Sequence, residues 1–184
     1  MTCGFPNITQ SKKIFNEILS HEPHIIEFGL PFSDPMADGP IIQRANELAL
    51  KSEITTQKSL DLINKLSKSK QSTSFVIMCY INTIRKFGVN KFIKNIKNIV
   101  DGLIIVDLPF EEETEIKNLL TENNIYLIKL ISPMTDRKRA KKILKNSKGF
   151  IYYISSTGIT GSNKLDHKEI KNNEVTIRLR GGDL

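Results

Sequence analysis

Five short apolar runs punctuate the chain, at residues 24–28, 75–79, 103–106, 126–131 and 150–154. They are rich in Ile, Val and aromatic residues and mostly lack alternation, the pattern of strands buried on both faces. Amphipathic stretches lie between them. Within 11–19, Ile14, Phe15, Ile18 and Leu19 recur at three-to-four spacing, which draws one apolar face on a helix. Residues 55–66 carry Leu60, Ile63 and Leu66, with Thr55 or Thr56 placed to cap the helix start. Residues 90–99 carry Phe92, Ile93, Ile96 and Ile99, and 136–144 is shorter and strongly basic. The stretch 111–120 opens with Glu111, Glu112 and Glu113, which suit the positive end of a helix dipole. The connections are too long for hairpins, so the alternation predicts an α/β fold: a parallel sheet with helical crossovers.

In parallel α/β folds the chemistry sits beyond the C-terminal ends of the strands. The residues there are 29–40 after the first apolar run, Tyr80, Ile81 and Asn82 after the second, and Asp107, Leu108 and Pro109 after the third. Ser132, Pro133, Met134 and Thr135 follow the fourth run, and residues 155–162 follow the fifth. Glu27 lies inside an apolar run, where a carboxylate is costly unless paired or protonated. Burial there would raise its pKa and suit it to general acid/base work; the alternative is a strand-end glutamate tipped into solvent. Asp34 and Asp38 sit on a loop with three prolines, where aspartate commonly serves turn chemistry. Glu27 and Asp38 at one sheet end make a stronger case, as two carboxylates whose environments could separate their pKa values. Two glycines, Gly158 and Gly161, with neighbouring hydroxyls offer free backbone N–H groups of the kind that bind phosphate. Lys129, in the fourth run, could form a Schiff base or lie along the helix layer with its amine in water. His21, His24 and His167 follow no metal-ligand pattern, and no metal is expected.

Composition narrows the class. With 184 residues, 39% hydrophobic and 26% charged, the chain is expected to be globular, not disordered, collagenous or a disulfide scaffold. There is no apolar run of about 20 residues, as a membrane-spanning helix would need. Met1 is followed by Thr2-Cys3-Gly4-Phe5-Pro6, which lacks the basic and apolar regions of a secretory leader. Cys3 and Cys79 have no metal spacing and suggest free thiols in a reducing compartment, so the cytoplasm is expected. The net charge of +7 raises nucleic-acid binding. The lysines, however, are scattered along helical stretches, as in Lys91, Lys94 and Lys97, or Lys138, Lys141, Lys142 and Lys145. Trp is absent and aromatic residues do not interleave with basic ones, which leaves little for base stacking. Neither a nucleic-acid nor a membrane partner is expected.

At 25–43 the chain reads Ile-Ile-Glu-Phe-Gly-Leu-Pro-Phe-Ser-Asp-Pro-Met-Ala-Asp-Gly-Pro-Ile-Ile-Gln. This closely resembles the signature of the tryptophan synthase alpha subunit family, which reads ELG, PFSDP, ADGP and IQ in that order. Further similarities follow at Thr2 to Pro6, Met78 to Asn82, Val100 to Pro109, and Gly149 through Gly161, so the resemblance runs from about residue 2 to about residue 165. It implies a (β/α)8 TIM barrel and a lyase of tryptophan biosynthesis. The reaction implied is retro-aldol cleavage of indole-3-glycerol phosphate to indole and glyceraldehyde 3-phosphate. It further implies no cofactor in this subunit and a PLP-dependent beta subunit as partner in an alpha2beta2 heterotetramer. By motif, Glu27 matches the catalytic glutamate and Asp38 the catalytic aspartate. Tyr152 matches the tyrosine beside the glutamate, Thr160 a mobile-loop threonine that closes onto the aspartate, and Gly161 a glycine of the phosphate site. Asp107 and Pro109 match positions near the beta-subunit interface.

The departures define the remaining expectations. A barrel of this kind takes about 250 residues. Residues 1–165 are expected to form a partial barrel, with a stub of the first strand and strands two to six. Residues 166–184 are expected to form a divergent tail in place of strands seven and eight. No likeness to the family is expected from Asn172 to Leu184, where the stretch from Val175 to Arg180 alternates apolar and polar residues, unlike a strand buried on both faces. Ser156 stands where many members have arginine. Open sheet edges would leave unpaired backbone and apolar surface, so low solubility or reliance on a partner is expected. The rival reading is an inactive fragment that at most contacts a beta subunit.

Overall fold

The computed structural model describes residues 1–132, 134–145 and 147–154. Strands β1 (Ile25–Gly29), β2 (Ser74–Cys79), β3 (Gly102–Ile105) and β4 (Tyr126–Leu127) form one sheet in that order, and β5 (Lys129–Ile131) pairs with β6 (Ile151–Tyr153). Every pairing is parallel. The apolar run 126–131 therefore changes partner in the middle. Its first half lies on β3 and its second half on β6, while the N–H of Ile128 still donates to the Leu103 carbonyl at 2.9 Å. Ahead of β1, Thr2 bridges to Gly29 in parallel, with the Cys3 N–H donating to the Gly29 carbonyl at 2.8 Å. This is the stub of a preceding strand that the sequence suggests.

Helices fill the crossovers: α1 (Ile8–Ser20), α2 (Pro40–Lys51), α3 (Thr56–Ser67), α4 (Ile81–Phe87), α5 (Val89–Ile96), α6 (Thr114–Glu122) and α7 (Arg137–Lys145). Local chemistry sets their starts. Asn7 and Thr55 accept hydrogen bonds from the N–H groups of Gln10 and Lys58, satisfying donors that a helix leaves orphaned. Pro40 occupies the first position of α2, where its missing N–H costs nothing. Two helices, α2 and α4, have no counterpart among the periodic stretches in the sequence. The acidic cluster at 111–113 also differs from expectation. Glu111 and Glu112 lie in a 3-10 turn (Phe110–Glu112), and α6 begins only at Thr114 with Glu113 as its cap.

The side chains of the strands divide by parity. One set faces the helices: Ile26, Phe28, Phe75, Ile77, Cys79, Leu103 and Ile105 pack with Phe15, Leu60, Ile63, Phe92, Ile96 and Leu120. The Phe28 ring sits 4.7 Å from Phe15 and 4.9 Å from Phe75, centroid to centroid. The other set makes a separate cluster of Val76, Ile104 and Ile128, with Met78, Val106, Leu130, Phe150 and Tyr152 against it. In a curved parallel sheet with helices on its outer side, this second set is the interior of the barrel wall.

Candidate active site

Glu27 is the middle residue of β1, in register with Val76 of β2. Val76 belongs to the interior cluster, whereas Ile26 and Phe28, on either side of Glu27, belong to the helix-facing core. Parity thus turns Glu27 toward the barrel interior, and burial raises its carboxyl above the ordinary glutamate value. Asp38 lies at the end of the loop joining β1 to α2, and burial raises its carboxyl as well. Tyr152, on β6, belongs to the interior cluster. Its phenol is raised by burial first and then by the negative charges of Glu27 and Asp38. The three residues therefore share one electrostatic neighbourhood, contributed by β1, the loop that follows it, and β6.

Two further groups complete the surroundings of Asp38: Tyr80, within the similarity at Met78 to Asn82, and Asn46, which lies in none of the motifs. Tyr80, the first residue after β2, donates its hydroxyl proton to Asp38 Oδ2 at 3.3 Å and accepts the Ala37 N–H at 3.0 Å. Its ring stacks on Phe32 at 4.7 Å and 20°. Burial, with the Asp38 charge adding to it, pushes the phenol up to about 12, so it stays protonated and able to donate at neutral pH. Asn46, buried on α2, donates from Nδ2 to the same Oδ2 at 3.4 Å. A signal for Asn46 exists in the sequence: a polar residue beside Ala45 and one turn from Ala49 on the buried face of α2.

The other candidates separate from this centre. Asp34 is exposed, accepts a hydrogen bond from the Ser33 hydroxyl at 2.7 Å, and its carbonyl accepts from the Met36 N–H, which is turn chemistry. Asp107 takes the Ile81 N–H on Oδ1 at 2.7 Å and so joins the loop after β3 to the start of α4. Lys129 corrects the sequence in one respect. Its amine is not in water: the residue is 5% exposed and its Nζ donates to Glu113 Oε2. It is also no Schiff-base candidate for this centre. Lys129 alternates with Ile128 and Leu130, which face the interior, and so points to the helix side, where Glu113 caps α6. Thr160 and Gly161, with Ser156, the 158–162 loop and the tail 166–184, lie outside the described residues. Among the described residues no three His, Cys, Asp or Glu side chains converge on a possible metal position.

The arrangement pairs a half-buried carboxyl on β1 with a second, hydrogen-bonded carboxyl on the loop that follows it. Comparison with known proteins decides the family. The family model described as "Tryptophan synthase alpha chain" matches residues 1–180. The chain is 40% identical over 181 residues to the tryptophan synthase alpha chain of Petrotoga mobilis, covering 98% of this chain and 69% of that one. The chain belongs to the tryptophan synthase alpha chain family. To the member from Nitrosomonas europaea it is 39% identical over 171 residues, covering 92% of this chain and 62% of the relative. The solved tryptophan synthase subunit alpha from Campylobacter jejuni superposes with a TM-score of 0.83 at 33% identity, covering 97% of this chain and 71% of that one. Membership makes the fold that of a TIM barrel, of which the described residues supply the strands named above. The family's reaction is that of a carbon–carbon lyase acting on indole-3-glycerol phosphate in tryptophan biosynthesis.

Proposed function

We propose that this chain performs the family's cleavage of indole-3-glycerol phosphate to indole and glyceraldehyde 3-phosphate, with Glu27 and Asp38 as its catalytic carboxylates. Glu27 starts protonated, as its raised carboxyl favours. It delivers its proton to C3 of the indole ring, leaving a ring cation. The resulting carboxylate then takes the proton of the adjacent glycerol hydroxyl as the bond from C3 to the glycerol carbon breaks. The bonding electrons return to the ring, indole and the aldehyde form, and Glu27 ends protonated again. Asp38 bears the opposite task. As a carboxylate, the form its hydrogen bonds from Tyr80 and Asn46 favour against burial, it accepts the ring N–H and stabilises the positive charge while it exists. Tyr152 lines the substrate beside Glu27. Thr160 closing onto Asp38 would exclude water, and Gly161 would offer its backbone N–H to the phosphate.

The observation that carries this reading is the meeting of Glu27, Asp38 and Tyr152 in one partly buried neighbourhood. No finding favours the rival reading of an inactive remnant. The product indole is apolar and of use only to a partner that consumes it. We therefore place a beta subunit carrying PLP against this chain in an alpha2beta2 assembly, while the lyase step itself uses no cofactor. Asp107 and Pro109 belong to the surface assigned to that partner, and the assembly is assigned to the cytoplasm. Among the described residues no helix is long and apolar enough to cross a membrane. Indole release from indole-3-glycerol phosphate tests the reading: Glu27→Gln should abolish it, and equal rates in the variant and the parent would sink the assignment.

A further inference from the structure

The geometry points to Tyr80 as the positioning residue of Asp38: it clamps the loop between β1 and α2 at three places and, with Asn46, occupies one carboxylate oxygen so that the other is presented to substrate. This rests on the role given to Asp38 above. The first place is Phe32, on which the Tyr80 ring stacks; the second is the Ala37 N–H, which the phenolic oxygen accepts; the third is Asp38 Oδ2, to which the hydroxyl donates. A tyrosine hydroxyl has a single proton. Since Ala37 is the donor in its bond, that proton is left for Asp38. Asn46 donates to the same Oδ2, and among the described residues nothing donates to Oδ1. Both bonds to Oδ2, at 3.3 and 3.4 Å, are long for charge-assisted contacts, as is common at catalytic groups before substrate arrives. Each helps to hold Asp38 ionised against the burial that raises it. The arrangement thus fixes which oxygen meets an indole N–H. A tyrosine serves here because no shorter side chain leaving β2 provides a ring for Phe32 and a hydroxyl for the loop at once.

Tyr80→Phe in the full chain with its partner subunit removes the hydroxyl and keeps the ring. The expected result is a fall in kcat of about tenfold, the order of one hydrogen bond to a charged group, with KM changed less than about twofold. Titration followed by NMR of carboxyl carbons should show Asp38 protonating at higher pH in the variant. In an Asp38→Asn background the same substitution should cost nothing further. Wild-type kcat and an unmoved Asp38 titration in Tyr80→Phe overturn the positioning role. So does a loss of equal size with and without Asp38, because it would act independently of that residue. Wild-type kcat in Asp38→Asn would instead overturn the assignment of Asp38 and take the positioning role with it. If Tyr80→Phe fails to fold, Asn46→Ala carries the same three readouts through the second donor.

Discussion

Replacing Lys129 by methionine separates structure from chemistry. Lys129 and Glu113 are each 5% exposed and form an ion pair between β5 and the start of α6. Removing one member of a buried pair costs about 3–5 kcal/mol, because the other charge stays behind without compensation. The two truncations should differ. After Lys129→Met, Glu113 keeps Lys117 at 3.4 Å, which places the cost near the lower bound, about 3 kcal/mol. After Glu113→Leu, Lys129 loses its carboxylate and is left facing the like charge of Lys117, which already works against its protonated form; the cost belongs near the upper bound, about 5 kcal/mol. For a protein of this size about 3 kcal/mol lowers Tm by roughly 6–12 °C. The double variant Lys129→Met/Glu113→Leu, which leaves no orphaned charge between the two, should recover most of the loss. Urea unfolding at 25 °C with common slopes measures all three. Indole formation by Lys129→Met, assayed well below its Tm, should equal the parent. Unchanged stability together with lost activity would refute the reasoning, since it would put the amine in the reaction and overturn the parity that turns it to the helices.

The raised carboxyl of Glu27 makes a prediction about stability as well as rate. Its folded value lies above its unfolded one, so its contribution is fully present below the ordinary glutamate value and is lost as pH rises through the folded value. Glu27→Gln should therefore be more stable than the parent at neutral pH and equal to it under acid conditions; a pH-independent difference in urea midpoint would contradict this. Phe28→Ala empties a site bracketed by the Phe15 and Phe75 rings and should cost about 3–5 kcal/mol in the same assay. A loss below about 1 kcal/mol would mean that the helix-facing core collapses into the space.

The strands are legible in the sequence because burial on both faces leaves no polar alternation to confuse the period. The runs 24–28, 75–79 and 103–106 fall within a residue of β1, β2 and β3. The helix α2 is not legible for the opposite reason. Its buried residues are Ala45, Asn46 and Ala49, and Ile41, the sort of residue that draws an apolar stripe, is 70% exposed. At seven residues, α4 is too short to show a period. The glutamates at 111–113 mislead because Pro109 starts a 3-10 turn and α6 begins later. Glu27 and Lys129 give the same signal, a charge inside an apolar run. Parity against neighbours of known face tells them apart, and that requires knowing which face is the interior. The sequence places Tyr80 beyond the end of a strand, but its role depends on contacts about forty residues away in the chain, which no local pattern encodes.

The partner change within 126–131 has a consequence for what this scaffold could become. Lys129 faces outward, while Ile128 and Leu130 point inward on the same short segment. An imine-forming amine, the resource of other barrel aldolases, therefore lies one residue out of phase with the chamber that holds Glu27. Acquiring it takes a lysine at 128 or 130, or a one-residue slip of the strand, and the slip would tear Lys129 from Glu113 and drive a leucine against that carboxylate. The buried ion pair is thus a register lock. It opposes the slip and leaves substitution at 128 or 130 as the route by which an amine would reach the interior.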